Sequence, residues 1–279
     1  MEYLKEILLL KKKEIEKLGE VKGSGDGLTR MDSGKKGDGK EISGEKGRFI
    51  KKIDRARVNV IAEIKRASPS KGIINGKLDI EKTALLYDRF KSFISGISVL
   101  TESLYFKGNP EDIAIVKQKT GLPVLRKDFI INEAQVYQSA GIGADCILLI
   151  SSILGFKKLK KLYMLASEIG LDVLLEVHTI REFDKAIDIG AKLIGINNRN
   201  LKNMNVNGKI IYEFLNYRKR ELSGKILVCE SGVRDTGYIA DLFSKGVNTF
   251  LIGEHFMSGR NLKETLRDME MRLKRSSLI

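Results

Sequence analysis

Eight short apolar runs alternating with longer amphipathic segments predict a closed (β/α)8 barrel, a TIM barrel of the α/β class, for this chain of 279 residues. Two further observations support that fold. The runs are continuously rich in Val, Ile and Leu, as strands buried on both faces must be, and helices between such strands imply parallel pairing. Eight units also exceed what a doubly wound open sheet usually holds. Length is compatible, because α/β barrels of about 250 residues fold as single domains.

Composition sets the outer bounds. Apolar residues make up 42% and charged residues 31%, against a usual charged share of about 25%, which excludes bulk disorder and indicates a heavily solvated surface. Lys and Arg number 50 against 36 Asp and Glu, a net charge of +14. The basic residues are dispersed among acids, and no aromatic stripe alternates with Lys or Arg, so no nucleic-acid partner is expected. No apolar run approaches the roughly 18 to 20 residues of a membrane span. The start, MEYLKEILLLKKK, has acids before its apolar block and lysines after it, the wrong order for a secretory signal, and a cytoplasmic protein without membrane contact is expected.

Along the chain, Leu4, Ile7, Leu8, Ile15 and Leu18 recur at helical spacing among Lys and Glu, predicting an amphipathic helix over 3–18 that packs on something downstream. Between 23 and 47 the composition changes abruptly. Eight of the 27 glycines fall there with Ser, Asp and Lys, a stretch too polar to offset its chain entropy, so a mobile loop is expected. Residues 1–57 are therefore taken as a helical extension with a Gly-rich insert, and 58–279 as the barrel. Strands are predicted over 58–64, 96–100, 123–127, 144–150, 172–177, 192–197, 225–230 and 247–253. Helices are predicted near 79–91, 110–119, 132–141, 155–169, 179–189, 207–221, 234–245 and 261–274. Cys146 and Cys229 sit inside strand-like runs with no CxxC partner and read as buried reduced thiols.

In a barrel of this kind the active site lies at the C-terminal ends of the strands. The predicted ends carry Glu63 and Lys65, Arg126-Lys127-Asp128, Glu176, Asn197-Asn198-Arg199, Glu230-Ser231-Gly232, and Gly253-Glu254. Alternation aims Glu63 and Lys65 to the same side. Charges converging on one rim are difficult to explain as stability devices, because buried charge is costly unless paired. Clustered cations there would depress a lysine pKa toward a useful value. Ser231-Gly232 and Gly253 suit turns, yet phosphate sites of this fold are commonly built after strands seven and eight from backbone N–H groups. His178 is a lesser acid/base candidate because it heads a helix-like segment. No zinc spacing, GxGxxG or P-loop occurs, so no metal and no nucleotide are expected.

The run IAEIKRASPSKG over 61–72, followed in order by LTE, PVLRKDFI, ADCILLI, LLEVH, IGINNRNL, ESGV and FLIGE, resembles the indole-3-glycerol phosphate synthases of tryptophan biosynthesis. The likeness spans about 49–257, and ExKxxSPS together with KDF is highly specific; ESG and LIG also occur in other phosphate-binding barrels. The amphipathic helix resembles the family's N-terminal extension, whereas the Gly-rich insert does not fit its pattern. The resemblance implies ring closure of 1-(2-carboxyphenylamino)-1-deoxyribulose 5-phosphate, a phosphorylated small molecule, with loss of CO2 and water and no cofactor; a monomer is expected. It implies Lys127 as the general acid, Lys65 as the partner of the substrate carboxylate, and Glu63 as the group orienting the lysines and aiding dehydration. Glu176 would stabilise anilinium charge or remove the ring proton. Asn197 and Arg199 would hold Glu63 and the anthranilate end, and Phe129 would line the ring pocket. Ser68, Ser231, Gly232, Gly253 and Glu254 would surround the phosphate, with the Glu254 side chain turned away because a carboxylate repels a phosphate. The isomerase of the preceding step is disfavoured: its resemblance implies Cys and Asp where this chain has Glu63 and Asn197.

Overall fold

The computed structural model describes residues 2–20, 45–201, 203–217, 222–233, 235–257 and 261–279. Most of the Gly-rich stretch expected to form a mobile loop lies outside those residues. Eight parallel strands close into a barrel: β1 Asn59–Ile64, β2 Ile94–Leu100, β3 Val124–Lys127, β4 Cys146–Ile150, β5 Asp172–Val177, β6 Leu193–Asn197, β7 Ile226–Glu230 and β8 Thr249–Ile252. Each pairs with its neighbour in sequence, and β8 returns to β1 in the register Asn59↔Thr249 through Ala62↔Ile252. All eight expected strands are present, with ends shifted by no more than two residues.

Helices follow the strands at Ile80–Asp88, Glu111–Lys119, Glu133–Gly141, Phe156–Glu168, Ile180–Ile189, Ile210–Asn216, Thr236–Ser244 and Leu262–Arg275. Several start where a short polar side chain takes up an orphan N–H group: Asp79 accepts from Lys82, Asn132 from Ala134, Thr179 from Glu182, Asp235 from Tyr238 and Asn261 from Glu264. Such caps stabilise a helix by about 1 kcal/mol each and fix where each loop ends. The helix expected over 207–221 is shorter: 207–209 turn into it, and it ends at Asn216 because Tyr217 is extended, while 218–221 lie outside the described residues.

Strand alternation divides the core in two. Val60, Ala62, Ile97, Val99 and Ile194 join the helices in an outer cluster, while Ile61, Leu125, Leu148, Leu174, Val228 and Leu251 form an inner one. The segment before β1 contributes to the inner cluster from two places. Phe49, on the short helix Arg48–Lys51, packs where Gly96 leaves room: a Cβ there would lie 2.9 Å from its ring. Asp172, first residue of β5, accepts hydrogen bonds from the N–H groups of Phe49 and Ile50 at 2.9 and 3.0 Å. The N-terminal helix Glu2–Glu20 lies at the opposite end, where Leu4 and Ile7 join the inner cluster and the Tyr3 hydroxyl donates to the Leu201 carbonyl at 2.8 Å.

Candidate active site

On β1, β3, β5 and β7 the inner face turns from apolar to charged at the mouth end, with Glu63, Lys127, Glu176 and Glu230 following Ile61, Leu125, Leu174 and Val228. Glu63 follows Ile61 on the inner side of β1, and two residues on, the Lys65 ammonium meets its carboxylate at 2.7 Å. Lys127 ends β3 with its ammonium 3.3 Å from Glu176 of β5 and 3.3 Å from Glu230 of β7. All three carboxylates are buried, at 5% exposure or less. They lie around a cavity of ≈ 480 Å³ at the barrel mouth, which all twelve residues singled out in the sequence border.

Two glycines make room for two of those carboxylates. A Cβ at Gly195 of β6 would strike the Glu230 carboxylate, and a Cβ at Gly253, just past β8, would strike that of Glu63. Neither glycine is needed for its own backbone angles. Their smallness lets two charged groups sit against a neighbouring strand.

The charges fix one another's protonation. Burial alone would push the Lys127 ammonium down, but the carboxylates of Glu230, Glu176 and Glu63 outweigh it and hold Lys127 protonated well above the ordinary lysine range. This corrects the expectation that clustered cations would depress it, since the groups nearest its ammonium are carboxyls and not cations. Burial raises Glu230, reinforced by Glu176 and only partly countered by Lys127, to about 8. Burial opposes the charge on Glu176 too, but Lys127, His178 and a hydrogen bond from Asn197 prevail and keep its carboxyl below the usual value.

Three partnerships differ from those implied by the resemblance. Asn197 hydrogen-bonds to Glu176 rather than to Glu63, because β6 lies beside β5 and not beside β1. Its Oδ1 also accepts from the Arg199 backbone N–H at 3.0 Å. Arg199 reaches the Met204 carbonyl at 3.0 Å and the Glu254 carboxylate at 3.3 Å, not Glu63. Glu254 itself borders the cavity instead of turning away, its charge offset by Arg199 and by Lys71 at 2.7 Å.

Local turns supply the rest of the rim. The pair Ala67–Ser68 and Gly72–Ile73 forms a small antiparallel ribbon that presents Ser68 and Lys71 to the cavity. Ser231 and Gly232 both adopt positive φ, 62° and 77°, and a Cβ at Gly232 would lie 2.7 Å from Val206. Successive left-handed residues turn the backbone sharply after β7, and turns of this kind can expose N–H groups to an anion. Phe129 lines the cavity from the end of β3, its N–H donating to the Asp128 carboxylate at 2.8 Å.

Sequence reasoning assigned no role to Glu230, although its place at the end of β7 was the signal, and it did not foresee Tyr3 and Lys71 at the cavity. Among the described residues, no group of three or more His, Cys, Asp or Glu side chains is arranged to hold a metal ion, and no helix is long and apolar enough to cross a membrane. Cys146 and Cys229 are free thiols, both buried.

The family described as indole-3-glycerol phosphate synthase matches residues 5–269. The indole-3-glycerol phosphate synthase of Acetivibrio thermocellus is 44% identical over 213 residues, covering 76% of this chain and 80% of that protein. That of Caldanaerobacter subterraneus subsp. tengcongensis is 42% identical over 254 residues, covering 91% and 93%. Among solved structures, KGPDC from Streptococcus mutans superposes with a TM-score of 0.58 at 13% identity, over 79% of this chain and 99% of that one. At that identity the likeness is one of fold alone.

Proposed function

The chain belongs to the indole-3-glycerol phosphate synthase family, and on that premise we propose a division of labour among the charged groups of its barrel mouth. The reaction is a carboxy-lyase step of tryptophan biosynthesis. It closes the ring of 1-(2-carboxyphenylamino)-1-deoxyribulose 5-phosphate and releases CO2 and water.

The observation that supports the assignment best is Lys127, held protonated between Glu176 and Glu230 at 3.3 Å from each. An ammonium so placed is charged throughout the neutral range and can hydrogen-bond the substrate carbonyl oxygen. The carboxylates that keep it charged also weaken it as an acid, so it hands over its proton as negative charge builds on that oxygen, the step that makes its carbon electrophilic. Lys65, now paired with Glu63 at 2.7 Å, takes the substrate carboxylate that will leave. Glu63 orients both lysines and assists loss of water. Glu176, steadied by Asn197, stabilises positive charge on the anilino nitrogen or takes the proton from the new ring. Phe129 and Arg199 hold the anthranilate end. The phosphate is held by Ser68, by the turn at Ser231 and Gly232, and by the N–H groups of Gly253 and Glu254. No cofactor enters these steps.

The same reading makes the enzyme a cytoplasmic monomer with no nucleic-acid or membrane partner. Free buried thiols are compatible with a reducing compartment, and every group assigned here comes from one chain. The test is to add the carboxyphenylamino-deoxyribulose phosphate to protein treated with EDTA, with no cofactor supplied, and to follow indole fluorescence. Growth of that signal is expected. Its absence in folded protein, or its dependence on an added metal, would overturn the acid-base reading.

A further inference from the structure

The stoichiometry of ring closure imposes a demand that the cavity residues alone do not meet. Two protons go onto the departing carbonyl oxygen and one comes off the methylene carbon, while the carboxylate leaves as CO2. One proton per turnover must therefore come from solvent. The donor, Lys127, has a side chain only 14% exposed, and Glu176 behind it 3%. Both line the cavity, so a substrate seated there would cover that side of them.

On the other side of Glu176 lies His178. Its Nε2 is 3.3 Å from Glu176 Oε1, while the second oxygen of Glu176 faces Lys127. Its Nδ1 is 3.7 Å from Glu182 Oε2. Neither His178 nor Glu182 borders the cavity. Both ring nitrogens are buried without a well-aligned hydrogen bond, so the imidazole lies within reach of both carboxylates without being locked to either. Glu182, by contrast, is fixed: it accepts the His178 backbone N–H at 2.8 Å, and its own N–H reaches the Thr179 hydroxyl at 3.3 Å. Its side chain is 15% exposed and ends the row nearest to solvent.

We infer that Glu182, His178 and Glu176 form a proton relay that reloads Lys127 from behind the substrate. In each turnover Lys127 gives its proton to the substrate oxygen and takes one from the Glu176 carboxyl. Glu176 takes its proton from His178 Nε2, and His178 is replenished at Nδ1 from solvent by way of Glu182. Each transfer breaks one N–H or O–H bond as it forms the next, and the sum is the single proton that the reaction consumes. The charges around the ring suit the role. Burial would lower the imidazole pKa, but the contact with Glu182 and the charges of Glu176, Glu182 and Glu230 raise it, so His178 holds a proton further into neutral pH than usual. His178 thus acts through Glu176 and not on the substrate.

The relay rests on Glu176 serving the ring closure, and the experiment separates the two claims. Single-turnover and steady-state rates are measured for His178→Gln, Glu182→Gln and Glu176→Gln, with and without added imidazole. A relay acts only after the first turnover. In His178→Gln kcat is expected to fall by about tenfold or more while the single-turnover rate stays within about twofold, and imidazole restores part of kcat. Glu182→Gln, which keeps the cap on the His178 N–H, should shift kcat in the same direction by less. Unchanged kcat in His178→Gln, or equal loss in both regimes without response to imidazole, overturns the relay. If Glu176→Gln loses turnover while His178→Gln does not, the relay alone fails. If Glu176→Gln keeps full activity, the role of Glu176 falls and the relay with it.

Discussion

The ammonium of Lys11, on the N-terminal helix, lies 2.9 Å from the carboxylate of Asp128, the residue after Lys127, and both side chains are almost wholly cut off from solvent at 1% and 0% exposure. Asp128 also accepts from Thr101 at 2.6 Å and from Arg126 at 3.1 Å. The pair therefore ties the extension to the backbone that aims the proposed acid. Removing one member of a buried pair commonly costs about 3 to 5 kcal/mol, but Asp128 keeps Arg126, so Lys11→Met is expected to lose about 2 to 3 kcal/mol in urea unfolding. Lys11→Arg should recover much of it. A Met variant as stable as the parent would show that the helix is held by Leu4, Ile7 and Tyr3 alone.

The carboxyl of Glu230 makes stability depend on pH with a definite sign. An unfolded glutamate releases its proton near about pH 4.3, whereas the folded one keeps it until about 8. Between those values the folded chain binds more protons, so Glu230 makes stability fall as pH rises, and its effect levels off above 8. Glu230→Gln removes that dependence. The stability of the variant relative to the parent should rise steadily from about pH 5 to about 8 in denaturant titrations. A constant difference would mean that Glu230 is ionised throughout.

Small residues at Gly195 and Gly253 are required by the carboxylates they face, not by φ. Gly195→Ala and Gly253→Ala should displace Glu230 and Glu63 respectively, costing about 1 to 3 kcal/mol of stability as overpacked sites do. Lower kcat should accompany that loss. Thermal unfolding and steady-state kinetics on the two variants check it, and unaltered kcat in both would separate these contacts from the chemistry.

At Gly232 both backbone and space are constrained, by φ of 77° and by Val206. A branched side chain there should push the turn after β7 out of place and weaken the hold on the phosphate. A clamp that binds substrate and transition state alike acts mainly through KM. Gly232→Val is thus expected to raise KM by about tenfold or more with a much smaller change in kcat. A fall in kcat alone would move the phosphate elsewhere.

Much of this was legible before the fold was seen. Eight apolar runs announced eight strands, because strands buried on both faces leave no polar alternation to confuse the period. Charged residues at the ends of those runs marked the mouth. Partner choice was not legible. Whether Asn197 meets Glu63 or Glu176 depends on which strands adjoin around a closed ring, and the motif INNRN carries no trace of that. Lys11 and Asp128 are 117 positions apart, and a lysine in a lysine-rich amphipathic helix reads as solvated surface. Gly195 looked like one more residue of an apolar run. Only the position of the Glu230 carboxylate reveals why no Cβ is there.

Lys127 as the proton donor is the claim on which the chemistry turns, and steady-state kinetics of Lys127→Met, with circular dichroism to confirm folding, test it most directly. Positioned acids contribute about 10²- to 10⁴-fold, so kcat should drop by at least about 10²-fold while KM changes far less, the phosphate and Lys65 contacts being intact. If the variant keeps more than about a tenth of the parent kcat, well outside the range for an essential acid, Lys127 is not the donor and Lys65 takes its place.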